Sequence, residues 1–116
     1  GGRVFFSGHG GDELLSRYIS EPPLQFPKDL TSIFPWPEFY FGQMRNYLMK
    51  EETVAGAHGM ETRYPFLDRD AVQEFLALDA SLKSSAYKRP VRDLLAEHGY
   101  PFQTGVKMPF VYLHAL

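Results

Sequence analysis

Arg3-Val4-Phe5-Phe6-Ser7-Gly8-His9-Gly10-Gly11-Asp12-Glu13-Leu14-Leu15 stands near the start of the chain and governs how the remainder is understood. The apolar run 4–6 has the length and composition of a buried strand inside a parallel sheet. It stops at a loop of small residues, with Gly8, Gly10 and Gly11 set around His9. Leu14, Leu15 and Tyr18 then start a helical spacing. Strand, glycine-rich turn and helix, in that order, aim backbone N–H groups and the positive end of a helix dipole at an anion, usually phosphate. Ligands of open α/β sheets also sit beyond the carboxyl ends of the strands. Asp12 and Glu13 would repel a bare phosphate, so a cation has to lie between, which points to a Mg²⁺-nucleotide site. A plainer reading stays open beside it: a strand-to-helix turn whose acidic residues suit the dipole of the first helical turn.

The named nucleotide motifs fail. The dinucleotide fingerprint begun by Gly8-His9-Gly10 would need glycine at position 13, where Glu13 stands, and no Gly-Lys-Ser/Thr follows to make a Walker loop.

At 116 residues the chain suits one small domain or a piece of a larger one. Hydrophobic residues at 44% and aromatic residues at 16% are enough for a core and too many for disorder. A net charge of −2 gives no electrostatic case for nucleic acid or an anionic membrane. No apolar run approaches the length of a membrane span and no signal peptide is visible, so a cytoplasmic location is expected. A start at Gly1-Gly2-Arg3 leads us to expect that the natural beginning lies upstream. The absence of cysteine removes disulfides, thiolate metal sites and a cysteine nucleophile from this segment.

Further along, Pro22, Pro23, Pro27, Pro35 and Pro37 forbid a helix interior, while Leu24, Phe26, Ile33, Phe34 and Trp36 predict a packed loop with one helical turn near 29–34. With Lys28 as the one basic residue among them, too little for basic interleaving, these aromatics read as core rather than a base-stacking platform. A helix is expected over about 38–57, with Tyr40, Met44, Tyr47 and Leu48 on one apolar face and Lys50, Glu51 and Glu52 as a solvated surface. Small residues follow at 55–59. Pro65 predicts an extended segment through Glu61-Thr62-Arg63, with Phe66 and Leu67 anchored in the core and Glu61 and Arg63 either a structural ion pair, the favoured reading, or groups that orient a polar ligand. Asp68 is placed to cap a helix over about 69–78 that buries Val72, Phe75 and Leu76. Residues 81–85 read as a turn. Pro90 opens a last helix, buried through Val91, Leu94, Leu95 and His98, with Gly99 just past its end. Lys88, Arg89 and Arg92 cluster at that helix's start, where the dipole disfavours cations unless an anion faces them.

These residues carry a resemblance. The segment resembles the C-terminal part of the synthetase domain of glutamine-dependent asparagine synthetases and their β-lactam synthetase and lasso-peptide cyclase relatives. Residues 4–18 are similar to that family's hydrophobic-Ser-Gly-x-Gly-x-Asp-Glu-leucine-rich-Tyr block. Residues 57–68 are similar to its Glu-x-Arg-x-Pro-Phe-Leu-Asp block. Lys83 and Lys88-Arg89-Pro90-Val91-Arg92 resemble its Lys-x-x-x-Arg helix start, and 105–110 is a weak echo. The likeness implies an α/β parent fold of the adenine nucleotide alpha-hydrolase-like, PP-loop ATP pyrophosphatase type. The part seen here would be mostly α-helical with one short N-terminal strand. Residues 1–116 would form part of a synthetase domain, lacking its PP-loop and the N-terminal glutaminase domain.

The implied chemistry is ATP-dependent amide formation. A carboxylate, aspartate first among candidates, attacks the α-phosphorus of ATP, pyrophosphate leaves, and ammonia or another amine attacks the acyl-adenylate. By the resemblance, Ser7, Gly8, Gly10 and Gly11 border the nucleotide and Asp12 helps hold Mg²⁺. Lys88 neutralises the developing oxyanion and pyrophosphate. His9 stands where asparagine synthetases usually have glutamate, a position tied to the adenylate and the incoming amine, and it could shuttle a proton there. That departure leaves two alternatives: a macrolactam- or β-lactam-forming relative, or a homologue kept as a binding scaffold. Ser16 and Arg17 replace a usual Gly-Gly, so ordinary dihedrals are expected there. A homodimer is compatible with the family, and the segment alone is expected to be inactive and marginally stable. The reading requires Asp12 and Lys88 to converge on one pocket, whereas a self-contained helical interaction domain would set them far apart.

Overall fold

The strand expected at the start forms, and it has a neighbour. In the computed structural model, which describes residues 2–16, 26–39 and 42–102, β1 (Arg3–Phe6) pairs in parallel with β2 (Met60–Arg63). Arg3 lies opposite Met60 and Phe6 opposite Arg63, and the Ser7 N–H extends the ladder by donating to the Arg63 carbonyl at 2.8 Å. The single N-terminal strand expected from the sequence is therefore corrected to a parallel pair. The segment before Pro65 is extended as anticipated, but its four residues carry only one β-branched side chain, Thr62, too little to announce a strand.

Between the strands come α1 (Gly11–Leu15), a 3-10 turn at Leu30–Ser32 and α2 (Gln43–Ala57); after them come a 3-10 turn at Pro65–Leu67, α3 (Arg69–Ala77), α4 (Ala80–Ser84) and α5 (Arg89–Glu97). Parallel strands need a long crossover, and the stretch ending in α2 supplies it, with α2 packed on β2. The described segment is thus mostly helical around a small parallel pair, compatible with a part of an α/β fold.

One core joins these elements. Trp36 is completely buried; its ring stacks on Phe39 with centroids 5.1 Å apart and meets Phe26 edge-on at 5.2 Å. Phe26 in turn meets Phe75 of α3 at 5.5 Å, and Leu14, Leu15 and Met44 complete the cluster. The Trp36 Nε1–H donates to the Glu13 carbonyl at 2.7 Å, tying α1 to this core. The aromatic, proline-rich loop is packed, with Asp29 capping its helical turn through Thr31 at 2.9 Å.

Several expectations need correction. β1 was expected to be buried, yet Val4, Phe5 and Phe6 are 50%, 45% and 70% exposed. A parallel strand is buried only when both faces are covered and both edges paired; among the described residues β2 takes one edge. α2 starts at Gln43, not near 38. Gly42 turns the chain back so closely that a Cβ there would lie 2.0 Å from the Pro37 carbonyl oxygen, and Glu38 is buried in the preceding turn. Tyr40 and Tyr18 lie outside the described residues, as do Arg17 and 105–110. Residues 81–85 are largely helical in α4, because Asp79 accepts from the Ser81 N–H at 2.8 Å and caps it. α5 is not buried through its whole apolar stripe: Val91 and Leu95 are half-buried, but Leu94 is 54% exposed and His98 is exposed. Its end does follow the sequence signal. Gly99 takes φ +66°, its N–H bonds Ala96 and the Tyr100 N–H bonds Leu95, a Schellman closure.

Candidate functional site

The turn after β1 is built by packing as much as by polarity. Gly10 takes φ +91°, and a Cβ on it would come within 2.4–2.9 Å of the Leu67 side chain; one on Gly11 would lie 3.0–3.2 Å from the Phe66 ring. The two glycines thus admit the Phe66-Leu67 turn against the start of α1. Glu13 is buried, and its carboxylate accepts from the Gly10 N–H at 3.1 Å, so it braces the turn from behind. Ser16 ends α1 in extended geometry at φ −147°, as expected from a non-glycine there, with its hydroxyl donating to the Asp12 carbonyl at 2.8 Å.

Asp12, in the first turn of α1, points its carboxylate outward to the opposite end of the chain. Lys88 Nζ forms an ion pair with Asp12 Oδ1, and the Tyr87 hydroxyl donates to the same oxygen at 3.1 Å. The ammonium also lies 5.2 Å from the Tyr87 ring centroid. Lys88 caps α5 in the left-handed region, φ 48° and ψ 43°, a conformation that non-glycine residues adopt at a cost. The basic cluster divides its partners: Arg89 pairs with Asp93 at 2.5 Å, Arg92 with the same carboxylate at 3.4 Å, and only Lys88 turns to Asp12. The hydrogen bond from Arg89 holds the Asp93 carboxyl below the usual range. Lys83 plays a different part. It is buried, its Nζ donates to the carbonyls of Leu76 at 2.9 Å and Leu78 at 2.5 Å, and burial pulls its ammonium below the ordinary lysine range. It clasps the end of α3.

His9 and Ser7 meet Glu51, a residue that the sequence pattern assigns to the solvated face of α2. Ser7 Oγ donates to Glu51 Oε2 at 2.8 Å, and His9 Nδ1 lies 2.5 Å from that same oxygen. The His9 N–H donates back to Ser7 Oγ at 3.1 Å, and Tyr47 stacks on the imidazole at 5.6 Å. Glu51 gave no signal in sequence beyond its place on α2, one turn after Tyr47. Gly8, exposed, has open space where a Cβ would stand. The structure therefore gathers Ser7, His9 and Asp12 at the end of β1 and brings Lys88 to Asp12. Glu61 and Arg63 form an exposed ion pair at 2.5 Å, their side chains bonded to each other while the Arg63 carbonyl accepts from the Ser7 N–H.

Whether the turn suits a divalent cation can be judged from its donors. Among the described residues no group of three His, Cys, Asp or Glu side chains could enclose a metal. A single outward carboxylate does suit Mg²⁺, which keeps waters and takes its remaining ligands from substrate phosphates.

The family described as asparagine synthase matches residues 38–101. The chain belongs to the asparagine synthase family. This is a family of ligase-type enzymes, and the matched residues include Glu51 and Lys88, while Ser7, His9 and Asp12 precede them. The segment is 33% identical over 82 residues to asparagine synthetase [glutamine-hydrolyzing] of Gallus gallus, covering 69% of this chain and 14% of that protein. It thus spans about one-seventh of that relative. No solved structure matches the chain. Among the described residues, no helix is long and apolar enough to cross a membrane.

Proposed function

We propose that the chain is part of a synthetase domain, of PP-loop α/β type, in an ATP-dependent ligase. The enzyme adenylates a carboxylate, aspartate in the first instance, and transfers ammonia from glutamine to give asparagine, AMP and pyrophosphate. The observation that carries this reading is the meeting of Asp12 and Lys88 beyond the end of β1. They come from the first and last helices of the described chain, and the fold brings a carboxylate and an ammonium to one point facing outward.

Each side chain then has a task. Ser7 and Gly8 border the adenylate, and the small residues Gly10 and Gly11 let the turn close behind them. Asp12 would hold a Mg²⁺, which when bound supplies positive charge between the phosphates. Lys88 leaves Asp12 to face the leaving pyrophosphate and the oxyanion that forms on the acyl carbon, where a fixed charge in a partly shielded place lowers the barrier most. His9 stands beside the acyl carbon to handle the proton of the incoming amine. Placement in the cytoplasm, with a glutaminase domain in the same protein, belongs to the same proposal.

The test is ATP–pyrophosphate exchange by the full-length protein with aspartate as the acid, compared with Lys88→Ala. Aspartate-dependent exchange that falls by about 10²–10³-fold in the variant is expected. No exchange in the unmutated protein refutes the reading.

A further inference from the structure

Glu51 is the acidic residue of α2 that the fold withdraws from solvent. Its side chain is 16% exposed, and a single oxygen, Oε2, receives both Ser7 Oγ and His9 Nδ1. Because the Ser7 hydroxyl in turn accepts the His9 N–H, Ser7, His9 and Glu51 close a hydrogen-bonded ring. Tyr47, on the same face of α2, covers one side of the imidazole at an interplanar angle of 17°. The imidazole is thus held by its edge and its face. An ionised carboxylate only accepts, so the ring nitrogen against it carries the hydrogen, and in the neutral imidazole that leaves Nε2 with its lone pair. The ring borders a cleft of about 450 Å³ whose other walls include Phe5, Val54 and Met60, with Lys50 at its side.

We infer that Glu51 is a positioning residue: it holds His9 in the tautomer with a bare Nε2, and that nitrogen takes the proton from the amine as the amide forms. The inference rests on the ligase reading above. The amine lone pair makes the new C–N bond and an N–H proton passes to Nε2. The acyl–oxygen bond to AMP then breaks, with its electron pair leaving on the phosphate oxygen. Glu51 balances the imidazolium until the proton returns to solvent. A carboxylate placed behind an imidazole does two things for such a step: it selects the tautomer and it compensates the charge.

The two half-reactions separate this role from a merely structural one. Exchange of pyrophosphate into ATP reads adenylation alone; amide formation reads both steps. In the full-length protein, Glu51→Leu should leave exchange within about 3-fold while amide formation falls by about 10²-fold, the low end for general-base loss. Glu51→Gln keeps a carbonyl that can accept from Nδ1–H, and should restore amide formation to within about 10-fold of the unmutated protein. Nitrogen-15 NMR of His9 should show hydrogen on Nδ1 in the unmutated protein and in Glu51→Gln. Equal loss of both half-reactions in Glu51→Leu, or hydrogen on Nε2 in the unmutated protein, overturns the role of Glu51. If Glu51→Leu does not fold, Glu51→Gln and the NMR assignment decide. Absence of exchange in the unmutated protein overturns the ligase reading itself, and this role with it.

Discussion

Lys88 offers a perturbation in which stability and chemistry should move independently. Lys88→Gly and Lys88→Ala both delete the ammonium and its ion pair with Asp12. That pair joins side chains 30% and 45% exposed, so its loss costs about 0.2–1 kcal/mol in either variant. The backbone distinguishes them. At φ 48° and ψ 43° a residue with a Cβ is strained by about 1–2 kcal/mol, whereas glycine is not. Glycine gives back about 0.5–1 kcal/mol through the entropy of the unfolded chain. Lys88 is also the N-cap of α5, where glycine is preferred over alanine. Lys88→Gly should therefore be more stable than Lys88→Ala by about 0.5–1 kcal/mol, and close to the unmutated protein. Both should lose pyrophosphate exchange to the same extent. Urea unfolding and exchange measured on the same preparations read the two effects together. An alanine variant as stable as the glycine variant would refute the backbone argument. A glycine variant that keeps full exchange would refute the placement of charge at Lys88.

Two further outcomes follow from the packing. Gly10→Ala combines a positive φ with a Cβ inside the Leu67 side chain and should cost about 2–5 kcal/mol; adding Leu67→Ala removes the clash, so the double variant should lose less than the sum, as urea unfolding can check. Burial, and after it the Glu52 carboxylate, push the Tyr64 phenol up to about 12 from its ordinary 10.0. Since the folded value is the higher one, Tyr64 contributes stability that is complete below pH 10 and is lost as pH rises toward 12. Tyr64→Phe should abolish that part of the alkaline loss in a pH series of unfolding curves, and an unchanged slope would count against it.

Much of this was legible in sequence where one local rule decided the outcome. Asp68 caps α3 through the Asp70 and Ala71 N–H groups, Gly99 closes α5, and the aromatic loop packs, because each signal lies within a few residues of its effect. The approach of Asp12 to Lys88 was anticipated only through the family likeness, since no spacing rule links the two ends of a chain. Glu51 was missed for a related reason. Three consecutive charges on a helix look alike in sequence, and only the packing of α2 on β2 turns one of them toward His9. The start of α2 was misplaced because the 2.0 Å approach of Gly42 to Pro37 is a property of the folded turn. The burial of β1 was overread, since an apolar run reports what a strand would bury and not which neighbours are at hand.

That last point reaches past the strand itself. A ribbon of two parallel strands has two rims. Among the described residues, one is β2, which packs against α2 with Thr62 tucked inside; the other is β1, which offers main-chain donors and acceptors beside three large apolar side chains. Such a rim is a template for whichever extended backbone reaches it first. When the segment is produced by itself, that backbone is a second copy of it. Clumping would then follow from the same unfinished border that, in a complete sheet, guides the next strand into place.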